Sequence, residues 1–372
     1  MVDRRRIVRQ WNHGTAKVLV TLVRAEGSSY RRPGAHLLIG ADGEYAGTIS
    51  GGCLEAEVVR KAAWMVRAGA IVERYSTLFD DTAEIPFGLG CGGVVDLMLE
   101  PADTPECRAL VDAMEASLGG NEASVATWLP ANGTPLRRVV VGGDGEVLFR
   151  SEGLSSGDLD AIVHFTDAPL VDDSAIYFET LSAPLRLFVL GAGDDAKPVV
   201  AMAAQLGWRV TVADGRPQLA KAERFPESEC VIAAASAAEL RIAAADAVVI
   251  MTHSYEQDRA LLAGLLGASA VSGYIGLLGA SHRSSLLVSE AAAMLGRSVA
   301  ECCEMVWAPV GLDLGGDGAE AIALAVVAEV QAWRQGKLGS SRRLTAERVA
   351  EQVAKGGASR YLQTQCALGA EK

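Results

Sequence analysis

The sequence predicts an α/β protein: a doubly wound parallel sheet in the C-terminal half, preceded by an α+β domain. Three observations carry that prediction. From Leu185 onward, short apolar strands alternate with helical stretches, the pattern of parallel strands joined by crossover helices. Before Ser182 the pattern is different, with hairpin-like strands around Gly-Asp-Gly turns and only occasional helices. Forty glycines with 5% aromatic residues suit many tight turns around a core of Ala, Val and Leu.

In the first half, VLVTLVRAEG reads as a strand and HLLIGADGEYAGTI as a hairpin turning at Asp42-Gly43. LEAEVVRKAAWMVRAG spaces Leu54, Val58, Ala62, Met65 and Val66 along one helical face and closes at Gly69. VVDLMLE is a further strand, and a helix is expected from Thr104 to about Ser117. SVATWL, RRVVVGGDGEVLFR and AIYFETL supply three more β segments, with SEGLSSGDLD as loop. Ser182-Ala183-Pro184 is the expected connection between halves.

In the second half, LRLFVL is a strand, DAKPVVAMAAQLG a helix and WRVTVAD a strand. A helical stretch, the strand ADAVVIMTH, another helix and the strand SGYIGLLGA are expected to follow. GAEAIALAVVAEVQAWR is a long helix with an apolar face. The division is residues 1–181, 182–338 and a linker and tail at 339–372.

Composition excludes several function classes. A net charge of −12 argues against nucleic acid, which needs basic surface. The basic cluster Arg4-Arg5-Arg6 reads as a solvated helix start. No secretory leader and no apolar run of membrane-spanning length are evident, so a cytoplasmic protein with reduced thiols is expected. Seven cysteines at irregular spacing, without a CxxC pair, support neither a disulfide framework nor a zinc knuckle. There is no GxSxG elbow, and His13, His36, His164, His253 and His282 suggest no triad.

The candidate site residues fall in two groups. Gly191-Ala192-Gly193-Asp194-Asp195-Ala196 follows a strand and opens a helix, which is a Rossmann-like GxGxxA fingerprint in its proper setting. Gly191 permits the turn, Gly193 lets a phosphate approach, and Asp214 closes the second strand where an acid can hold ribose hydroxyls. Asp194 and Asp195 stand where a pyrophosphate would lie, which weakens a nicotinamide reading. MTHSYEQD, YIGLLGASHR and APVGLDLGG should gather at the same sheet edge, bringing His253, Asp258, Gly276, Gly279 and the Ser281-His282-Arg283 turn toward a ligand. For His253 the competing role is a helix cap, and for Asp258 a solvated helix position.

The second group is Cys53 in SGGCLEAE, after Gly51 and Gly52, and Cys91 in GLGCGG. A thiol at a helix start is biased toward thiolate, and a glycine-rich turn can present several N–H groups to an anion. Thiolates are soft ligands for transition metals, so both are candidates for a metal; the bland alternative is a small filler beside a turn. Cys302 and Cys303, being adjacent, point in different directions.

GSSYRRPGAHLLIGADGEYAGTISGGCLEAEV, GLGCGGVVDLMLEP, FVLGAGDDAKPVV, GWRVTVADGRP, VVIMTHSYEQD, YIGLLGA and APVGLDLGGDGAEAIALAVVAEV, in this order, resemble the XdhC/CoxI family across most of residues 10–335. The resemblance implies a maturation factor for molybdenum hydroxylases such as xanthine dehydrogenase, aldehyde oxidase or carbon monoxide dehydrogenase. It implies a chaperone that binds the molybdenum cofactor (molybdopterin, with or without a nucleotide), supports its sulfuration with a cysteine desulfurase and delivers it to the apoenzyme. Partners would be the apo molybdenum hydroxylase, the desulfurase, cofactor-biosynthesis proteins and a second copy of the chain. On that footing Cys53 and Cys91 would face molybdenum or sulfur, and the nucleotide-type fold would hold the phosphate or nucleotide. The alternative is an NAD(P)-dependent oxidoreductase, which leaves both cysteines without a role. Asp194 departs from the histidine common in relatives.

Overall fold

The computed structural model describes residues 1–27, 29–52, 54–76, 93–131, 134–154, 176–268 and 273–339. Helix α1 (Val2–Asn12) precedes a five-stranded antiparallel sheet built from β1 (Ala16–Gly27), β2 (His36–Gly40), β3 (Tyr45–Gly47), β4 (Ile71–Ser76) and β5 (Gly93–Pro101), in the order β3-β2-β1-β5-β4. Helix α2 (Glu55–Met65) buries Val58 and Ala62 against this sheet, as their spacing requires. Helix α3 (Pro105–Gly119) starts at Thr104, whose hydroxyl accepts from the Cys107 N–H, and stops at Gly120 in the left-handed conformation.

A second antiparallel sheet holds β6 (Ala123–Trp128), β7 (Arg137–Gly142), β8 (Val147–Arg150) and β9 (Ile176–Leu181), in the order β8-β7-β6-β9. Two buried polar links tie it to the first sheet. The Arg138 guanidinium on β7 makes a two-pronged pair with Glu100 on β5, at 2.9 and 3.0 Å. Its other donors go to Thr127 Oγ1 at 3.0 Å and the Glu106 carbonyl at 2.7 Å. Burial opposes the charge on Arg138, but Glu100 outweighs it and holds the guanidinium above its usual range. On the other flank His36 Nε2 lies 3.2 Å from Glu179 Oε2, both nearly buried.

The second half is a five-stranded parallel sheet of β10 (Arg186–Leu190), β11 (Arg209–Asp214), β12 (Cys230–Ala233), β13 (Ala247–Ile250) and β14 (Tyr274–Leu277). The order β12-β11-β10-β13-β14 places the first strand in the middle, so the winding reverses between β10 and β13. Helix α4 (Ala196–Gln205) packs with α8 (Ala319–Arg334) on one face. Helices α5 (Tyr255–Gly267), α6 (Ser281–Leu295) and α7 (Val299–Met305) cover the other. One expectation is corrected: between β11 and β13 the structure has the short strand β12 and two 3₁₀ turns, at Ala222–Arg224 and Ala237–Glu239, rather than a helical stretch. Pro217 and Pro226 interrupt any helix early in the segment, and CVIA completes the sheet edge beside β11 instead.

Arg138→Met leaves Glu100 buried without its cation and should cost about 3–5 kcal/mol of unfolding free energy, measured by urea titration. Adding Glu100→Leu in the same chain should recover most of that loss, because the uncompensated charge is then gone as well.

Candidate functional site

The winding reversal makes a crevice at the carboxyl ends of β10 and β13, the place where sheets of this kind bind ligands. Gly191 explains why the chain can cross there: its φ is +130° and a Cβ would lie 2.3 Å from the Met251 carbonyl oxygen. At Gly193 a side chain would begin 2.5 Å from Asp195 Oδ1 and close to the His253 ring. The two aspartates of the turn are both partnered. Asp194 pairs with Lys197 at 2.7 Å and Arg224 at 2.9 Å, which hold its carboxyl below the usual range. Asp195 Oδ2 lies 2.8 Å from His253 Nε2.

His253 has φ +63°, the one non-glycine residue in the left-handed region among those described. Backbone held there is strained, and such strain collects at ligand sites. Ser254, not His253, caps α5 by accepting from the Gln257 N–H. The strained corner is held by Asp258, which is fully buried and not a solvated helix residue. Asp258 Oδ1 accepts from Thr252 N–H at 3.1 Å and Thr252 Oγ1 at 2.6 Å, while Oδ2 accepts from Arg283 Nη2 at 2.7 Å. Arg283 also donates to the Leu278 carbonyl at 3.2 Å. Rather than forming a free loop, Ser281, His282 and Arg283 are the first turn of α6.

These residues frame a cleft of about 450 Å³. Asp195, His253 and Arg283 supply its polar wall, with Asp258 buried behind Arg283, and Leu278, Val310, Ile322 and Ala325 its apolar one. Gly279, at φ +149°, lines the cleft and would crowd the Arg283 guanidinium if it carried a side chain. Gly276 has a different place: it is buried in β14, where a Cβ would meet Val310 at 2.5 Å, so its emptiness seats the Val310 loop and does not face the cleft. That loop is fastened by Glu329, which accepts from the Gly311 N–H at 2.9 Å and from the Tyr274 hydroxyl.

Asp214 is not presented to a ribose. Its side chain is wholly buried and accepts from Ala192 N–H at 2.7 Å, Arg216 N–H at 2.8 Å, and Arg216 Nε and Nη2 at 2.9 and 2.8 Å. Burial raises its pKa, but the Arg216 and backbone donors win and hold it below the usual carboxylate range. An NAD(P) in the ordinary extended pose would find the acid already engaged.

In the first half, Cys53 and Cys91 lie outside the described residues, as does His164. Gly51 and Gly52 are exposed, with Tyr30 beside Gly51 and Gly52 open to solvent at φ +105°. Sequence reasoning missed what holds this loop. Buried Glu55 accepts from Ile49 N–H at 3.1 Å, Ser50 N–H at 2.8 Å and the Ser50 hydroxyl, and Ser50 Oγ accepts from Gly52 and Leu54 N–H. Burial opposes ionisation of Glu55, yet these donors outweigh it and its pKa falls below the usual range. The signal was there in the serine and glutamate bracketing the glycines. Among the described residues no group of three or more His, Cys, Asp or Glu could hold a metal ion. No described helix is long and apolar enough to cross a membrane.

Together these features define a protein with a Rossmann-type half, its cleft at the winding reversal, joined to an antiparallel α+β half. Residues 187–330 match the XdhC Rossmann domain and residues 10–76 the XdhC and CoxI family. A Bacillus subtilis protein named as a probable xanthine dehydrogenase subunit is 28% identical over 326 residues, covering 84% of this chain and 92% of its own. The Escherichia coli molybdenum cofactor insertion chaperone PaoD is 27% identical over 325 residues, covering 86% of this chain and 84% of its own. A crystal structure titled as a xanthine dehydrogenase from Bacillus halodurans superposes with a TM-score of 0.76 at 26% identity, covering 92% of this chain and 98% of that one. The chain belongs to the XdhC and CoxI family.

Two measurements check the local readings. Gly191→Ala should cost at least about 3 kcal/mol, since left-handed strain of about 1–3 kcal/mol is joined by overlap with the Met251 carbonyl. Glu55 has a folded pKa below its unfolded value of about 4.3, so its stabilisation is complete above that pH and is lost as pH falls through the folded pKa. The stability advantage of the wild type over Glu55→Gln should therefore be constant near neutrality and shrink in acid, as followed by urea midpoints from pH 7 to pH 3.

Proposed function

We propose that this protein is a cytoplasmic chaperone for the molybdenum cofactor. It holds molybdopterin, shields it while a cysteine desulfurase supplies the sulfido ligand, and passes it to an apo molybdenum hydroxylase of the xanthine dehydrogenase type. Cofactor-biosynthesis proteins would load it. The observation that carries this reading is the cleft at the winding reversal. A guanidinium and an imidazole, each oriented by a carboxylate, face an apolar wall in a space of about 450 Å³. That arrangement suits a ring-shaped anionic ligand. Membership in the family and the name of the Escherichia coli relative support the molybdenum cofactor as that ligand.

The chain's own residues would divide the work. Arg283 attracts the ligand's anionic end, and Asp258 keeps the guanidinium from swinging away. His253, tied to Asp195, offers an imidazole nitrogen at the cleft mouth. Leu278, Val310 and Ile322 exclude water from one face of the ring. Cys53 and Cys91 are proposed, from their sequence setting, as the groups that meet molybdenum or its sulfur. The Ser50–Glu55 brace would fix the loop before Cys53.

The test is anaerobic incubation with molybdenum cofactor, desalting, and elemental analysis with mass spectrometry. Near-stoichiometric molybdenum and pterin are expected, with molybdenum lost in Cys53→Ala and Cys91→Ala. Normal molybdenum retention by both variants would overturn the thiol assignment. A protein that stays empty would overturn the chaperone reading.

A further inference from the structure

The Rossmann half departs from a dinucleotide site in a way that bears on which form of cargo it takes. A dinucleotide laid across a winding reversal needs two berths, one on each side of the central strand. On the β11–β12 side the structure closes the first berth. An ionised carboxylate offers about four acceptor positions, and the four donors on Asp214 fill them. Arg216 then reaches across the crevice, donating from Nη2 to the Thr252 carbonyl at 3.2 Å, and so straps the end of β11 to the end of β13. Behind this strap, the space between Leu190, Gly215, Ala235, Ser236 and Gln257 amounts to about 10 Å³. That is room for about one water molecule and not for a nucleobase. The Gly215 position lies so near Ala235 that a Cβ would come within 3.1 Å of its methyl.

The β13–β14 side is open. Its volume of about 450 Å³ falls within the range of about 300–1,000 Å³ usual for small-molecule sites. The charge is also reversed relative to an ordinary glycine-rich turn. Asp195 folds its carboxylate over Gly193, at the spot where a diphosphate would approach the backbone. The cation stands instead at Arg283. Of its five N–H donors, Asp258 and the Leu278 carbonyl take one each, leaving three for a ligand.

We infer that the cleft is a half-site: it takes a single phosphate monoester-bearing ring, with the phosphate on Arg283 and the ring on the Leu278–Val310–Ile322 wall, and the described residues offer no second berth for a nucleotide. Resting on the chaperone reading, this assigns the cargo as molybdopterin with its single phosphate monoester and not as a pterin dinucleotide. It also sets NAD(P) outside the ligands of this half.

The experiment is equilibrium binding to the full chain under anaerobic conditions, with molybdenum-loaded molybdopterin, its cytosine dinucleotide form and NADPH as separate probes. The monoester should bind at least tenfold more tightly than the dinucleotide, and NADPH should show no saturable binding. Arg283→Ala should weaken the monoester by tenfold or more. Because that variant strands Asp258, Arg283→Lys serves beside it, keeping the charge but losing the fork; an intermediate affinity is expected. Dinucleotide binding as tight as the monoester, saturable NADPH binding, or monoester affinity unchanged in both Arg283 variants would overturn the half-site while leaving the chaperone reading in place. Binding of neither pterin form would overturn both.

Discussion

The arrangement of the candidate site depends on one buried carboxylate. Asp258 sits in the first turns of α5 with no exposed surface, and it is tolerable there only because every approach is a donor. Through Thr252 it pins the end of β13, next to His253, whose backbone is left-handed and whose Nε2 lies 2.8 Å from Asp195 Oδ2. Through Arg283 it pins the start of α6 and sets a guanidinium at the edge of the cleft. A single acid therefore couples the end of β13 and the start of α5 to the start of α6, 25 residues further on. Its low-dielectric surroundings strengthen each of those bonds and make the loss of any one costly.

The same logic, with the opposite result, operates across the crevice at Asp214. There the carboxylate also gathers backbone and guanidinium donors, but its partner Arg216 belongs to the same loop and reaches over the crevice to Thr252. Asp258 holds a space open, whereas Asp214 and Arg216 hold one shut. Both carboxylates consequently act through Thr252, one on its N–H and hydroxyl, the other on its carbonyl through Arg216. The asymmetry of the nucleotide-type half follows from that shared residue.

In the antiparallel half, charge is used to join layers. Arg138 links β7 to β5, β6 and the start of α3, beside the apolar clusters that also join residues of the two sheets. Glu55 does similar work at short range. It ties Ile49 and Ser50, on the near side of the exposed glycines, to the start of α2.

Much of this was legible in the sequence. The alternation after Leu185, the glycines at 191 and 193 and the apolar faces of α2, α4 and α8 specify their elements locally, because periodicity, capping and turn chemistry act over a few residues. The convergence of MTHSYEQD, YIGLLGASHR and APVGLDLGG on one crevice also followed, since strand ends in a parallel sheet meet at a common edge. Other features were decided only by the fold. Asp214 closes a strand and Asp258 lies in the first turns of a helix, and nothing local says that one is sealed by an arginine two residues on while the other recruits one from the next helix. Gly276 and Gly279 look alike in the motif, yet one makes room for Val310 and the other lines the cleft. β12 replaced an expected helical stretch because a free sheet edge beside β11 rewarded an extended CVIA. Local pattern determined which elements form and where they end; burial and long-range donors, which exist only once the elements pack, decided which polar groups face a ligand and which hold the protein together.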